Sequence, residues 1–545
     1  LQEGLLWAGT DDGLLQVSAD GGESWQAIPL GDLPGVPATA FVNDIKADLH
    51  DADTVYVCLD NHKFGDFKPY LVKSTDRGAS WSSIAGDLPD RHLVWRLVQD
   101  HVNKELLFAA TEFGIFFTVD GGGAWVELGG AVPTISFRDL VIQRRENDLI
   151  GASFGRGFYV LDDYSPQREA SEQMLEREAT LFPVRKTPWY IQRRPMGGSG
   201  QASQGGSFFL ADNPPFGAVF TYHLGQGLKS LEDSRRQAEK KLEKEWEDTP
   251  YVGYDELERE RRQAKPTMLL TIRDASDDIV RTLKAPTKKG FHRVAWDLTY
   301  PTSSAIRTAS TGERRGRRGD GDPNSGFMAP PGTYSVTLSK RVDGVVTDVA
   351  GPVDFEVTRV FEGILDGTPP TETAAFMAEV AALQRGVSAA SQAAALGFKT
   401  VENLEKALAR STIDPGTLDT DLEALKQRLY DIDMTLSGNR SVRSMGEPRS
   451  PTVAGRLRIA SFTNGQSDYG PTATHRRAFE IATEEFGRIE PELRQRLEVD
   501  LPALEAKMEA AGVPWTPGRP LPEVREASPR LAHLRRTTGR ADLSA

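Results

Sequence analysis

The chain reads as a multidomain, mainly β protein: part of a β-propeller, then a β-sandwich, then an α-helical bundle. Three observations predict this. A Ser/Thr-x-Asp-x-Gly-x-Ser/Ala-Trp segment recurs three times in the first 165 residues, at intervals of about 56 and 44 residues, close to the length of a four-stranded blade. Between residues 207 and 360, short runs rich in β-branched and aromatic residues alternate with turn residues. Beyond residue 370 the apolar residues recur at steps of three and four, the helical period. A length of 545 residues suits three or four domains.

The repeats are Ser18-Ala19-Asp20-Gly21-Gly22-Glu23-Ser24-Trp25, Ser74-Thr75-Asp76-Arg77-Gly78-Ala79-Ser80-Trp81 and Thr118-Val119-Asp120-Gly121-Gly122-Gly123-Ala124-Trp125. This pattern is the Asp-box. Each residue type has a task in a tight turn between strands. The Asp carboxylate accepts backbone N–H groups a few residues on. Gly22, Gly78 and Gly122 supply a positive φ. The hydroxyl of Ser18, Ser74 or Thr118 bonds across the turn, and Trp25, Trp81 or Trp125 enters the next strand as a large packing body. Asp20, Asp76 and Asp120 are therefore expected to accept hydrogen bonds within their own turns on an outer rim, a reading preferred to catalytic acids or calcium ligands. Gly31-Asp32-Leu33-Pro34 and Gly86-Asp87-Leu88-Pro89 place a linker after the first two boxes. The last unit, Leu149 to Phe158, has no box after it and ends at Val160-Leu161-Asp162-Asp163-Tyr164.

On these three boxes, residues 1–165 resemble the bacterial-neuraminidase-repeat (BNR) and sortilin-like propeller superfamily. The whole chain is similar to large bacterial proteins called glycosyl hydrolases on account of such repeats. The resemblance implies a box between the third and fourth strands of each blade, away from the usual ligand-binding face, and a periplasmic or secreted location. The chain begins at Leu1, and residues 5–9 already read as a strand. The expectation is therefore that residues 1–165 are the C-terminal blades of a larger ring. The missing N-terminal blades would be their partner and would cover Leu5, Leu6 and Trp7.

Residues 166–206 read as a polar linker, with a mobile glycine-rich stretch from Gly197 to Gly206. Strand candidates follow at Val219–Leu224, Thr267–Asp274, Ile279–Lys284, Gly290–Leu298 and Gly332–Ser339. Gly290 to Asp297, with its Trp296-Asp297 pair, and Pro331-Gly332-Thr333-Tyr334 resemble the immunoglobulin-like sandwich of flagellar hook-capping proteins. This assigns an Ig-like sandwich to residues 207–360. Residues 229–264, in which Glu239, Lys240, Glu243 and Lys244 interleave, read as a solvated helical hairpin with few core contacts. Arg307, Arg314, Arg315, Arg317 and Arg318 form a flexible basic loop whose Arg318-Gly319-Asp320 triplet is of the kind that arises by chance. The helical module spans 370–522, with helices over Thr371–Ala395, through Leu404 to Ile432, over Thr472–Arg488 and over Pro491–Ala511. Residues 523–545 read as a disordered tail.

A net charge of −13 lacks the basic footprint that nucleic-acid binding needs, and no apolar run reaches the roughly 20 residues of a membrane span. Cys58, the single cysteine, lies in an apolar strand-like run and reads as a core residue. The sequence contains no His-x-x-x-His, no cysteine pair and no phosphate-cradling loop before a helix, so neither metal nor cofactor is expected. Sialidases of this propeller type use an arginine cluster, a Tyr–Glu pair and an acid Asp. Arg77, Arg91, Arg96, Arg138, Arg144, Arg145 and Arg156 do not present that context. Two functions remain. The preferred one is an exported propeller that binds peptide, protein or glycan ligands without catalysis. The alternative is a sialidase-like glycoside hydrolase whose carboxylates straddle the propeller centre, partly in the missing blades.

Overall fold

The computed structural model describes residues 2–192, 211–306, 325–447, 450–461 and 467–522. The glycine-rich stretch 197–206, the arginine loop 307–322 and the tail 523–545 lie outside the described residues. The chain is mainly β as far as Arg359, with seven sheets among the described residues, and helical beyond Pro370.

Four antiparallel meander sheets come first. Sheet one contains β1 (Leu6–Gly9), β2 (Leu14–Ser18) and β3 (Gln26–Pro29). Sheet two contains β4 (Phe41–Ala47), β5 (Val55–Asn61), β6 (Asp66–Ser74) and β7 (Ser82–Ser83). Sheet three contains β8 (Val94–Gln99), β9 (Leu107–Thr111), β10 (Gly114–Thr118) and β11 (Val126–Glu127). Sheet four contains β12 (Phe137–Gln143), β13 (Asp148–Ser153) and β14 (Gly157–Leu161). Tight turns return each strand beside the last, and the apolar faces of consecutive sheets share cores. Val57, Leu59 and Val72 of sheet two pack with Leu15 and Ile28 of sheet one, while Tyr56, Cys58 and Leu71 pack with Leu97 and Phe116 of sheet three. A central strand buried on both faces explains why Val55–Leu59 is a continuous apolar run and not an alternating one. Cys58 sits inside it, and burial pushes its thiol well above the ordinary value.

The segment expected as a linker, 166–206, contributes strands. After the short helix α1 (Glu172–Glu176), β15 (Ala179–Leu181) pairs with β17 (Ala218–Leu224), and β16 (Thr187–Trp189) pairs in parallel with β24 (Val345–Arg359). The two early strands are three residues each, and Pro183 and Pro188 obscure their period. Two helices, α2 (Leu231–Lys244) and α3 (Tyr254–Arg262), leave the sheet after β17. They are followed by β18 (Thr267–Asp274), β19 (Ile279–Ala285), β20 (Gly290–Trp296), β21 (Thr299–Pro301), β22 (Ser325–Met328) and β23 (Gly332–Val342). Sheet β15-β17-β20 and sheet β16-β24-β23-β18-β19 enclose one core, in which Trp296, Tyr334 and Phe355 pack edge to face and stacked. The 15-residue β24 was not among the expected strands. Gly351-Pro352 interrupts its pattern, and its register against β23 shifts near Leu338.

The helical region holds α4 (Pro370–Ala409), α5 (Leu418–Ser437), α6 (Arg440–Ser444), α7 (Val453–Ala460), α8 (Ala473–Arg494) and α9 (Leu501–Ala510). The break expected before Pro491 does not occur. Pro491 lies inside α8, and six residues of π-helix, Gln495–Asp500, carry the chain into α9. A proline inside a helix has no N–H for the carbonyl four residues back, here that of Gly487, and the helix continues past this one lost bond. Arg293 donates to the carbonyls of Asp162 and Asp163 at 2.5 and 2.6 Å, tying sheet four to the sandwich. Arg359 pairs with Asp468 at 2.9 Å and ties the sandwich to the helices.

Candidate functional site

The three repeated segments form turns after β2, β6 and β10 with one hydrogen-bond scheme. The Ser18, Ser74 and Thr118 hydroxyls donate to Asp20, Asp76 and Asp120 at 2.7, 2.8 and 2.6 Å, and accept the N–H of Gly22, Gly78 and Gly122 at 2.8, 2.8 and 3.1 Å. Each carboxylate also accepts the N–H four residues on, from Ser24, Ser80 or Ala124, at 2.9, 2.8 and 3.1 Å. In the first two turns the Ser24 and Ser80 hydroxyls occupy the second carboxylate oxygen at 2.5 and 2.6 Å, a bond Ala124 cannot make. These bonds, led by Ser24, Ser80 and Thr118, hold the three carboxyls below the usual carboxylate range. Both carboxylate oxygens are thus engaged inside the first two turns, and only Oδ1 of Asp120 inside the third.

The tryptophans differ. Trp125 is buried, donates from Nε1 to the carbonyl of Ile84 in the preceding unit at 2.9 Å, and has its N–H held by Asp87 at 2.6 Å. Trp81 packs edge-on against Trp7 of sheet one. Trp25, expected as a packing body, is 42% exposed, with Leu6, also exposed, nearby across Gly22. A box tryptophan packs on the sheet before its own, and no earlier sheet stands against Trp25 among the described residues. The Gly86-Asp87 pair, expected as a linker, is the clamp for the third box: a Cβ on Gly86 would meet the Gly122 and Gly123 carbonyls at 2.6 Å.

A pocket lies at the opposite end of the sheets. In an antiparallel meander the β5–β6 and β9–β10 connections emerge away from the β6–β7 and β10–β11 turns that carry the boxes. His62, Phe67, Arg91, Leu93, Trp95, Glu112, Phe113 and Arg138, from sheets two, three and four, line a cavity of about 250 Å³ there. Its construction rests on a feature shared by the first strands of three sheets. The register of β4, β8 and β12 shifts between Val42 and Asp44, between Val94 and Arg96, and between Phe137 and Asp139. The extra residues are Asn43, Trp95 and Arg138, and a bulge re-aims its side chain. Asn43 donates to the carbonyl of Val94 at 3.0 Å. Trp95 donates from Nε1 to Glu112 at 3.0 Å, and the Arg138 guanidinium lies 3.6 Å from the Trp95 ring centroid and 3.7 Å from Glu112. The Ser136 hydroxyl donates to the same Glu112 oxygen at 3.0 Å. The residues just after the bulges form an ion chain, Arg96 reaching Asp44 at 2.8 Å and Asp139 at 3.3 Å. His62 is held by Asp60 and meets the Trp95 ring edge-on, while Arg91 lies over Phe67.

Arg91, Arg96 and Arg138 are three of the arginines weighed at the sequence level, and the structure puts Arg91 and Arg138 into one pocket with Arg96 beside it. Trp95, Glu112, Phe113, His62 and Phe67 were not singled out. A sequence signal existed, since Asn43-Asp44, Trp95-Arg96 and Arg138-Asp139 occupy equivalent places in three units, but their identities differ and a bulge is invisible without the partner strand. Among the described residues, no group of three or more His, Cys, Asp or Glu is placed to hold a metal ion, and no helix is long and apolar enough to cross a membrane.

No protein-family model matches this sequence, and no curated protein matches it. Solved structures similar to it include YCF48 bound to D1 peptide (18% identity, covering 30% of this chain and 49% of that one, TM-score 0.24). They also include the Cps50 (Swd1) β-propeller domain of Myceliophteria thermophila (12%, 31% and 51%, TM-score 0.24). A third is the GH74 xyloglucanase from Xanthomonas campestris (14%, 69% and 46%, TM-score 0.24). The chain spans about half the length of each.

Proposed function

We propose that residues 1–165 are Asp-box blades of a β-propeller in an exported, periplasmic or secreted binding protein, and that the pocket opposite the boxes takes a peptide. The observation that carries this reading is the alignment of three bulges, which sets Trp95 and Arg138 against Glu112 at one end of the sheets. Cations, a carboxylate and aromatic edges in one small cavity suit a chain with charges of both signs and an apolar side chain. A sugar ring stacks on an open aromatic face, and one face of Trp95 is already covered by Arg138. Glycoside hydrolysis needs a pair of carboxyl groups free to act as acid and as base or nucleophile. Asp44 and Asp139 are engaged by Arg96, and Glu112 by Trp95, Ser136 and Arg138. The exposed apolar face of Leu6, Leu14 and Trp25 suits a further sheet of the same kind as its partner.

The test is a random peptide library and a glycan array probed with the purified chain, followed by anisotropy titration of the best ligand. Trp95→Ala and Arg138→Ala should each weaken peptide binding about tenfold or more. Glycan binding abolished by the same changes, or turnover of a chromogenic glycoside lost on Glu112→Gln, would overturn the peptide reading.

A further inference from the structure

The helical arm that leaves the sandwich after β17 ends in an aromatic tip that the fold does not use. Neither α2 nor α3 buries an apolar side chain. The arm is nonetheless held firmly. Ser230 and Asp233 close a capping box at the start of α2, and Arg235 bridges the two helices with bonds of 2.7 and 2.9 Å to Glu260 and 2.7 Å to Glu239. At the base, the Leu231 N–H donates to Gln263 at 2.8 Å, and Gln263 reaches Asp343 of the β23–β24 turn at 3.2 Å. This frame presents Trp246, Tyr251 and Tyr254, which are 96, 81 and 81% exposed. Trp246 sits at φ +58°, a left-handed conformation that a bulky residue adopts at a cost, and Tyr251 and Tyr254 stand edge to face at 6.4 Å.

We propose that this tip docks an arginine-bearing segment of a partner protein. Large aromatic side chains left in water on a braced arm mark an interaction surface. The charge around them selects the partner: between residues 245 and 256 stand Glu245, Glu247, Asp248, Asp255 and Glu256, with no lysine or arginine. Lys241 and Arg259 pair with Glu245 and Glu256, whereas no ion pair among the described residues involves Glu247, Asp248 or Asp255. A guanidinium stacks on an aromatic face while pairing with a neighbouring carboxylate. The protein does this twice within itself, with Arg138 between Trp95 and Glu112 and with Arg168 between Tyr164 and Asp100. The tip offers the aromatic and carboxylate halves of that arrangement without the cation. An anionic membrane surface would be repelled by the same acids.

A labelled peptide of Arg-Gly-Ser repeats, titrated by anisotropy against the full chain, tests this. The combined Trp246→Ala, Tyr251→Ala and Tyr254→Ala variant keeps every charge and should weaken binding about tenfold or more. Glu247→Lys with Asp248→Lys should also weaken it and reduce its dependence on salt. Circular dichroism should be unchanged in both variants, since the substituted side chains bury nothing. If the aromatic variant binds the peptide like the parent, only bulk charge attracts it and the proposal fails. It also fails if the aromatics instead drive self-association by sedimentation, or binding to phosphatidylcholine vesicles.

Discussion

The first and third box turns share one hydrogen-bond scheme and differ in what covers them. Trp125 is closed over by Ile84 and the Gly86-Asp87 clamp of the unit before it, whereas Trp25 is 42% exposed near exposed Leu6. The far end of the array differs again. After β14 the chain turns back, and Tyr164 and Arg168 lock onto Asp100 of sheet three with bonds of 2.6, 2.8 and 2.9 Å. Among the described residues, sheet one has no comparable return. The turn is thus a local object, and the stability it confers depends on the neighbouring sheet.

The sharpest way to break this comparison is to truncate the two tryptophans. Trp125→Ala should cost about 3–5 kcal/mol in urea unfolding, as large buried aromatics do, and Trp25→Ala less than about 1 kcal/mol. Similar losses would mean that the turn, and not its cover, sets the value of the tryptophan.

Asp100→Asn should follow, at about 3 kcal/mol, because it leaves the Arg168 guanidinium, largely buried, without its counter-charge. The same residue governs an acid limb. Burial alone would raise the Asp100 carboxyl, but the bonds from Arg168, the Asn103 N–H and the Tyr164 hydroxyl outweigh it and bring the pKa down to about 2. An unfolded Asp titrates near 3.9, so the unfolded state takes up the proton first. The contribution of Asp100 is therefore complete above about pH 5 and lost as the pH falls through 4 towards 2. Stability measured between pH 5 and 3 should fall less steeply in Asp100→Asn than in the parent. Parallel curves would show that Asp100 titrates normally.

The smallest effect tests the turn itself. Ala124→Ser should restore to the third box the hydroxyl bond that Ser24 and Ser80 make, raising stability by about 0.5–1 kcal/mol. No gain would show that the second carboxylate oxygen of Asp120 is already satisfied by solvent.

The legible parts of this protein are those whose partners lie a few residues apart. Ser18, Asp20, Gly22 and Ser24 bond to one another within seven residues, so composition and spacing alone dictate their geometry. The same holds for the capping box of Ser230 and Asp233, and for the apolar steps that put Leu422, Leu425, Leu429 and Ile432 on the buried side of α5. What only the tertiary structure decided involves partners far apart in the chain. β16 becomes a strand by pairing with β24, about 170 residues later, and nothing in Thr187-Pro188-Trp189 announces it. The pocket depends on bulges, each of which exists only relative to a neighbouring strand, and on Trp95, Glu112 and Arg138 meeting across sheets. The same tryptophan in the same motif is buried in one box and exposed in another. A turn closes on its own residues, while burial is conferred by whatever packs against it.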